Sequence, residues 1–542
     1  MSVMDGFEEC AVPNERPRRV LVVDNDRDFR RAVEALINAR GYTVFSASTP
    51  AQAMQVARQE RVHVAVLDIR LLGDYDDDDM SGLHLAEQLD PLIVKIMLSA
   101  YPSVSVVRSS YGDVSAFTFV EKEEGPDKLF EELARAFREK VKINFDLSIQ
   151  WRDISLDEVA HEIEMEDRPD VAVLEAEIEE VLCKLFFQTN EILVTRLIPA
   201  DRIRSTSQSG AVLLQVQPRY HPGGNWGPPV VVKLAAREKT TIEAVNYERY
   251  VDGFIAGFRH TRIHREVQTH LLGGIIYTLV GTPLEKCVDL GTFYTGHSAQ
   301  EVVDVLKGLF TEICEHWYAN RRPRQGRDMM DLYARPLKLS AERLEATLEE
   351  AGLSDWIGGR EACQRVPGLK RRIVNPIEWL RKHPSLLTQA SLCYTHGDMH
   401  SRNVLVDPDW HVWLIDFYRT GPGHLFRDLI ELESDVKFSL LETTDLPSLV
   451  RFESALLNAE HFNDAPTIPS FREPALKKAF RVVQGIRHIA GQLADPGADM
   501  LDYYQGLLLQ SLAVIRLRHI PPPKKCHAYL AAALVCERLA EW

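Results

Sequence analysis

Residues 394–417 read YTHGDMHSRNVLVDPDWHVWLIDF and carry the most specific chemistry in the chain. Phosphoryl transfer from a nucleotide needs a carboxylate to orient the attacking hydroxyl. It also needs an amide and a second carboxylate to hold magnesium against the phosphates. Asp398 supplies the first, Asn403 and Asp416 the other two. Val404-Leu405-Val406 and Val412-Trp413-Leu414-Ile415 are apolar runs on either side of Asp407-Pro408-Asp409, a turn signal, so they predict a hairpin. That hairpin returns Asp416 to the neighbourhood of Asn403, where one metal ion can meet both.

A second set of polar residues stands at the ends of apolar runs near the start of the chain. Val20-Leu21-Val22-Val23 ends in Asp24-Asn25-Asp26, Val64-Ala65-Val66-Leu67 ends in Asp68, residues 94–98 end in Ser99, and residues 117–120 lead to Lys122. Helical patterns separate these runs. The first has Phe29, Val33, Leu36 and Ile37 on one face, with Gly41 at the C′ position; further helices are expected at 50–60 and 82–88. Alternating β and α elements imply an α/β doubly wound parallel sheet, flavodoxin-like, with its site at the carboxyl ends of the strands. Asp24, Asp68, Ser99 and Lys122 all fall there. Between Asp68 and Ser81 runs an acidic stretch, Asp74, Asp76, Asp77, Asp78 and Asp79. As a charge run it reads first as a solvated loop, and second as a cation or partner site.

Residues 17–140, with these residues in this order, resemble the receiver domain of two-component response regulators. The resemblance implies that Asp68 accepts a phosphoryl group and binds magnesium together with Asp24. It assigns Ser99 as the site hydroxyl, Lys122 as the lysine contacting the phosphoryl group, and Phe119 as the aromatic switch position. A carboxylate serves as such a nucleophile when a cation holds the phosphoryl oxygens and a lysine neutralises the product. The family's acidic pair is usually two carboxylates, and Asn25 stands in the second place. An amide is the weaker magnesium ligand, so metal affinity should be reduced unless Asp26 or the acidic loop compensates.

The HGDxHxxN form of residues 396–403 is similar to the aminoglycoside phosphotransferase and choline kinase branch of the kinase-like phosphotransferases, rather than to the HRD form of protein kinases. The resemblance implies an α+β bilobal domain over 191–542, with a small β-rich lobe at 191–280 and a helical lobe at 281–542. It makes Ser209-Gly210 part of a phosphate-covering loop. Lys233, in the strand Val230–Leu234, becomes the lysine that positions the ATP phosphates. Glu243 is its partner on the next helix, with Glu248 in reserve. Asp428 corresponds to the aspartate that supports the catalytic loop. The run IDFxxTGPGHxxRDxxxLE also resembles the kinase-like ternary complex associated domains of bacterial signalling systems.

Between the two domains, 141–190 reads as a helical connector broken at Asp167-Arg168-Pro169-Asp170. Its stripe Val173, Leu174, Ile178, Val181, Leu182, Leu185 suits either a dimerising helix or packing within the chain. A homodimer through the receiver or this connector stays open. A net charge of −16 argues against nucleic acid or an anionic membrane as partner. Eight cysteines without a CxxC pair argue against a disulfide framework or zinc site. The acidic lead-in MSVMDGFEECAVPNE is unlike a secretory signal, and no apolar run approaches a membrane span, so a cytoplasmic protein is expected. Two readings follow. In one, a sensor histidine kinase or phosphotransfer protein loads Asp68, which regulates an ATP- and Mg2+-dependent phosphotransferase acting on an unassigned hydroxyl or amine. In the other, the second domain is a catalytically silent nucleotide-binding scaffold whose partner assembly the receiver switches.

Overall fold

Val20–Val23 have no polar side chain to turn toward water, and such a strand is stable between two covered faces. The computed structural model describes residues 17–72, 79–99, 116–197, 210–220, 224–255, 261–279, 282–321, 327–388, 391–464, 466–517 and 520–542. Its contacts divide the chain into two compact units. The first is Met1–Trp151 with Glu179–Val194 and Gln217–Gly227; the second is Arg152–Ile178 with Thr195–Val216 and Pro228–Trp542.

In the first unit, β1 (Arg19–Val23), β2 (Thr43–Ala47), β3 (Val64–Asp68), β4 (Val94–Ser99) and β5 (Thr118–Glu121) form a parallel sheet. The order is β2-β1-β3-β4-β5, with Val20 opposite both Val44 and Val64. Because side chains alternate across a strand, β1 feeds two cores. Leu21 and Val23 pack with Ala65 and Leu67, whereas Val20 and Val22 pack with Val33 and Ile37. Helices α1 (Arg27–Asn38), α2 (Pro50–Gln59), α3 (Ser81–Gln88) and α4 (Pro126–Glu139) complete a flavodoxin-like domain.

Two local expectations are corrected here. Leu36 is 44% exposed, because α1 buries only a narrow stripe through Val33 and Ile37. Gly41 lies two residues past the cap Ala39, one later than expected. There its N–H reaches the Asn38 carbonyl at φ +84°, a conformation that favours glycine.

The connector is not purely helical. Its β6 (Ser148–Trp151) pairs in parallel with Glu191–Val194 of β7 (Glu191–Arg196), a strand too short to stand out by alternation. Helices α5 (Leu156–Glu162) and α6 (Val171–Leu185) follow β6. Leu174, Ile178, Val181, Leu182 and Leu185 are fully buried within the chain, while Val173 is exposed. The stripe is therefore packing, not a dimerising surface.

In the second unit, the Val212–Val216 part of β8 (Val212–Arg219), with β9 (Val230–Ala236), β10 (Thr261–Gln268) and β11 (Leu272–Leu279), runs antiparallel in the order β10-β11-β9-β8. Helix α7 (Arg237–Asn246) approaches β11 closely. A Cβ on Gly273 would fall 1.9 Å from Thr240 Oγ1, so only glycine admits the helix.

Downstream the unit is mostly helical: α8 (Ala299–Gly308), α9 (Ala341–Glu350), α10 (Pro376–Lys382), α11 (Arg427–Asp435), α12 (Leu446–Leu456), α13 (Pro474–Leu493), α14 (Leu501–Arg516) and α15 (Pro522–Leu539). Pro447 is the second residue of α12, in the first turn, where no intrahelical bond needs its N–H. α14 escapes the periodicity reading because every residue from Tyr503 to Ile515 is buried, leaving no polar face to mark a helical repeat. Among the described residues no helix is long and apolar enough to cross a membrane.

Candidate functional site

In the first unit, Asp24 follows β1 and Asp68 ends β3, and both are almost fully buried. Lys122, just past β5, places its Nζ 2.8 Å from Asp24 Oδ2 and 3.0 Å from Asp68 Oδ2. Burial pushes the Asp68 carboxyl up to about 6; Lys122 opposes this and Asp24 adds to it. Asp24 is raised for the same first reason. Burial works against the charge on Lys122, but the two carboxylates more than offset it and hold the ammonium above its ordinary value. Two crowded, desolvated carboxylates are the donor set a hard divalent cation takes, so these residues fit magnesium.

The neighbours of this pair are already engaged. Asp26 caps α1, its Oδ1 accepting from the N–H groups of Asp28 and Phe29, and its own N–H donates to Asp24 Oδ1. Asn25 is half-buried, and its carbonyl faces Arg30 at 3.5 Å. Ser99 closes β4, with its side chain outside the described residues. Of the acidic loop, residues 74–78 also lie outside them. Asp79 does not behave as part of a solvated run: it is buried and ties the loop together, accepting from Leu72 N–H at 2.8 Å and Ser81 N–H at 2.9 Å.

The second unit holds a similar arrangement. Lys233 is fully buried in the middle of β9, between Leu213 on β8 and Ile275 on β11. Its Nζ lies 2.6 Å from Glu243 Oε2 on α7 and 2.5 Å from Asp416 Oδ1. Glu243 also accepts from Phe417 N–H at 2.8 Å and from the Tyr277 hydroxyl. Glu248 is exposed and takes no part. Burial pushes Glu243 up to about 7, with Lys233 opposing. Burial would raise Asp416 too, but Lys233 outweighs it and keeps this carboxyl below its ordinary value. Asp416 sits at φ +67°, a strained position for a residue other than glycine.

The predicted hairpin forms, with β13 (Val404–Val406) pairing β14 (Val412–Leu414), and β12 (Val288–Asp289) joining β13. Ile415 N–H donates to the Asn403 carbonyl at 3.1 Å, so Asn403 and Asp416 stand together at the end of the ladder. Asn403 Nδ2 donates to the Asp398 carbonyl at 2.9 Å. The Asp398 carboxylate lies 4.0 Å from both Arg419 Nη1 and His400 Nε2, beyond hydrogen-bond reach.

Helix α11 holds the loop that carries Asp398. Asp428 accepts from His396 N–H and Gly397 N–H, each at 2.9 Å, and from the Tyr318 hydroxyl. Glu431 accepts from Met399 N–H at 2.7 Å, and Asp435 from Ser401 N–H at 2.8 Å. Only Asp428 was expected in this role. The signal for the other two was their spacing, three and seven residues beyond Asp428 on one helical face. Gly397, at φ +76°, lets the loop pass the Arg419 carbonyl, where a Cβ would come within 2.5 Å.

His424 is fully buried, pushed down to about 3 by burial, and hydrogen-bonded to Tyr333; it belongs to the core. Gly210, at φ +64°, packs on Glu164 and Lys239, and its carbonyl accepts from Glu164 N–H. Ser209, its predicted neighbour in the phosphate loop, lies outside the described residues.

Comparison with known proteins assigns both clusters to families. Residues 205–353 and 331–514 match the model of ternary complex associated domain 9, together more than half of the chain. The chain belongs to the ternary complex associated domain 9 family. The family segment contains Lys233, Glu243, Asp398, Asn403, Asp416 and α11. Residues 20–134 match the response regulator receiver domain, so Asp24, Asp68 and Lys122 lie in a receiver.

Among curated proteins, response regulator MprA of Mycobacterium ulcerans is 31% identical over 156 residues, 27% of this chain and 62% of that protein. Transcriptional regulatory protein GlrR of Escherichia coli is 23% identical over 145 residues, 26% of this chain and 30% of that protein. The chain thus spans under two thirds of either relative. A receiver domain protein (CheY-like) of known structure from Methanospirillum hungatei is 27% identical, covering 23% of this chain and 96% of that one, with a TM-score of 0.21.

Proposed function

We propose that this is a phosphorelay signalling protein in which the receiver, phosphorylated on Asp68, regulates an ATP-dependent phosphotransferase formed by the ternary complex associated region. The reading rests on one observation above the others: Lys233 is fully buried between Glu243 and Asp416, on the unit that also holds the Asp398 loop by three carboxylates of α11. A kinase-like, aminoglycoside phosphotransferase-type domain requires this set.

Lys233 would pair the nucleotide phosphates and Glu243 would fix its direction. Asn403 and Asp416 would hold magnesium, which neutralises phosphate charge. An acceptor hydroxyl or amine attacks the γ-phosphorus, the bond to the bridging oxygen breaks, and ADP leaves. Asp398 takes the acceptor's proton. In the receiver, an Asp68 oxygen would attack the phosphorus of a phosphohistidine on a sensor histidine kinase or phosphotransfer protein, the P–N bond breaking and the imidazole leaving; Lys122 would face the incoming group, and Asp24 and Asp68 would hold magnesium.

The test is ATP turnover by the full chain and by Asp398→Asn, which keeps the shape but removes the proton acceptor. Positioned proton-transfer groups are worth about 10²–10⁴-fold, so turnover should fall by that order with Mg-ATP affinity unchanged. Equal turnover in the variant, or intact ATP binding without transfer by the unaltered chain, returns the scaffold reading.

A further inference from the structure

Helix α11 carries the three carboxylates that hold the Asp398 loop, and every residue from Asp428 to Ser434 is buried. A helix with one wet face is turned the right way by its apolar stripe. α11 has no wet face there, and apolar contact is non-directional. Burial alone therefore leaves its rotation about the helix axis undetermined. The loop nevertheless demands one rotation. At ~100° per residue, Asp428, Glu431 and Asp435 fall within about 60° of one another. They meet the amides of His396, Gly397, Met399 and Ser401 at 2.7–2.9 Å.

The opposite face of α11 carries Glu433, and there the contacts are directional. Arg487 Nη2 lies 2.7 Å from Glu433 Oε1 and Arg487 Nε 2.8 Å from Oε2, a forked pair with α13. The Tyr503 hydroxyl of α14 donates to Oε2 at 2.8 Å, and Arg487 also donates to the Leu456 carbonyl at the end of α12. A second pair stands behind the first. Lys437, just past α11, places Nζ 3.6 Å from Glu433 Oε1 and 2.7 Å from Glu453 Oε2. His527 Nε2 of α15 lies 2.7 Å from Glu453 Oε1. All five residues are buried. Burial works against the charge on Glu433, but Arg487 outweighs it and keeps the carboxyl below its ordinary value. Two carboxylates face one arginine and one lysine, so no charge is left over. Apolar residues of similar volume often serve stability as well as a buried ion pair does. What they lack is direction, which a forked arginine–carboxylate pair supplies.

We infer that Glu433 and Arg487 are positioning residues for Asp398: their forked pair sets the rotation of α11 and thereby aims Asp428, Glu431 and Asp435 at the loop amides. The loop can be measured without turnover, and the bearing on rate rests on the phosphotransferase reading above.

Hydrogen exchange on the full chain separates this role from general stability. The joint replacement Glu433→Leu/Arg487→Met strands no buried charge, since Lys437 keeps Glu453 as its counterion. α14 should stay as protected as in the unaltered chain. Exchange across 396–401 should quicken about ten-fold or more, the loss of one hydrogen bond to a charged group. Arg487→Lys keeps the charge but not the fork. It should quicken the same amides while sparing α14, and it carries the test if the joint variant does not fold. His527→Phe, at the far end of the network, should have the smallest effect. In an active preparation kcat should fall in step with loop exchange while KM for Mg-ATP stays nearly constant.

Unchanged exchange at 396–401 in both Arg487 variants overturns the inference. So does exchange that quickens equally in α14, or failure of both variants to fold, either of which makes the network a source of stability alone. An Arg487→Lys chain that matches the unaltered one reduces the pair to charge balance and overturns it as well. Loosened loop amides in the variants, with no turnover by the unaltered chain, leave the positioning role standing and overturn the phosphotransferase reading. Full turnover despite a loosened loop overturns the link to Asp398.

Discussion

Both units centre a lysine between two carboxylates, Lys122 between Asp24 and Asp68 and Lys233 between Glu243 and Asp416, at separations of 2.5–3.0 Å. They differ in how far water is excluded. The Lys122 side chain is 18% accessible and that of Lys233 is 1%. In the receiver the carboxylates come from strand ends of one sheet, and burial pushes Asp68 up to about 6, with Lys122 opposing and Asp24 adding to it. In the second unit they come from a helix and a hairpin, and the lysine holds Asp416 ionised. One motif thus serves two purposes. At the rim it shapes a nucleophile that a partner must reach. In the interior it fixes the distance between β9, α7 and the end of the hairpin.

The sharpest way to break this comparison is to remove each lysine. Lys233→Met leaves two buried carboxylates facing one another, and breaking a buried pair costs about 3–5 kcal/mol. Hydrogen exchange should report lost protection in β9 and α7. Lys122→Met should cost the receiver clearly less, and equal losses would mean that burial does not separate the two sites.

A proton probes the receiver next. His63 is buried, accepts from Arg19 N–H at 3.2 Å, and is pushed down to about 4 by burial and the Arg19 charge, with Asp146 opposing. The unfolded chain binds that proton near pH 6.5, so this contribution is complete above pH 6.5 and is lost as pH falls toward 4. The shift corresponds to about 3 kcal/mol. Protection of β1 and β3 should decline across that window, and the decline should flatten in His63→Gln.

Glycines give a finer comparison. A Cβ on Gly82 would lie 1.9 Å from the Asp68 carbonyl oxygen, and one on Gly397 2.5 Å from that of Arg419. Each alanine should cost about 1–3 kcal/mol by overpacking. Gly82→Ala should slow labelling of Asp68 by acetyl phosphate and spare Mg-ATP binding, and Gly397→Ala should do the reverse. The smallest effect expected is that of Asn25→Asp, which supplies a stronger magnesium ligand. It should lower the magnesium needed for Asp68 labelling by a few-fold, without changing Mg-ATP affinity.

The site residues were legible where local rules constrain them. Strand-end acids, a lysine within an apolar run, and a turn between two short strands all announce themselves within a few residues. Glu243 and Glu248 were both open in the sequence, and the contact of Glu243 with Lys233 decides between them. Three features escaped for physical reasons. β10 reads TRIHREVQ, too charged to look like a strand, since its side chains are only partly buried. α14 has no polar face. Glu431 and Asp435 act through loop amides: their spacing puts them on the face of Asp428, but the main-chain donors they meet leave no trace in side-chain patterns.

By itself the sequence determined which groups are available and the local elements that carry them: Asp68 at a strand end, Lys233 within a strand, Asn403 and Asp416 across a hairpin. Those choices follow from alternation, turn chemistry and helical period, all short-range. Tertiary structure alone decided the partners and their burial. Glu243 and Asp416 are 173 positions apart in the chain, yet they meet at one ammonium. Glu433 and Arg487, 54 positions apart, pair from different helices. Which charges converge, and how dry the space between them is, depends on packing between distant segments, and that is what sets the chemistry of both sites.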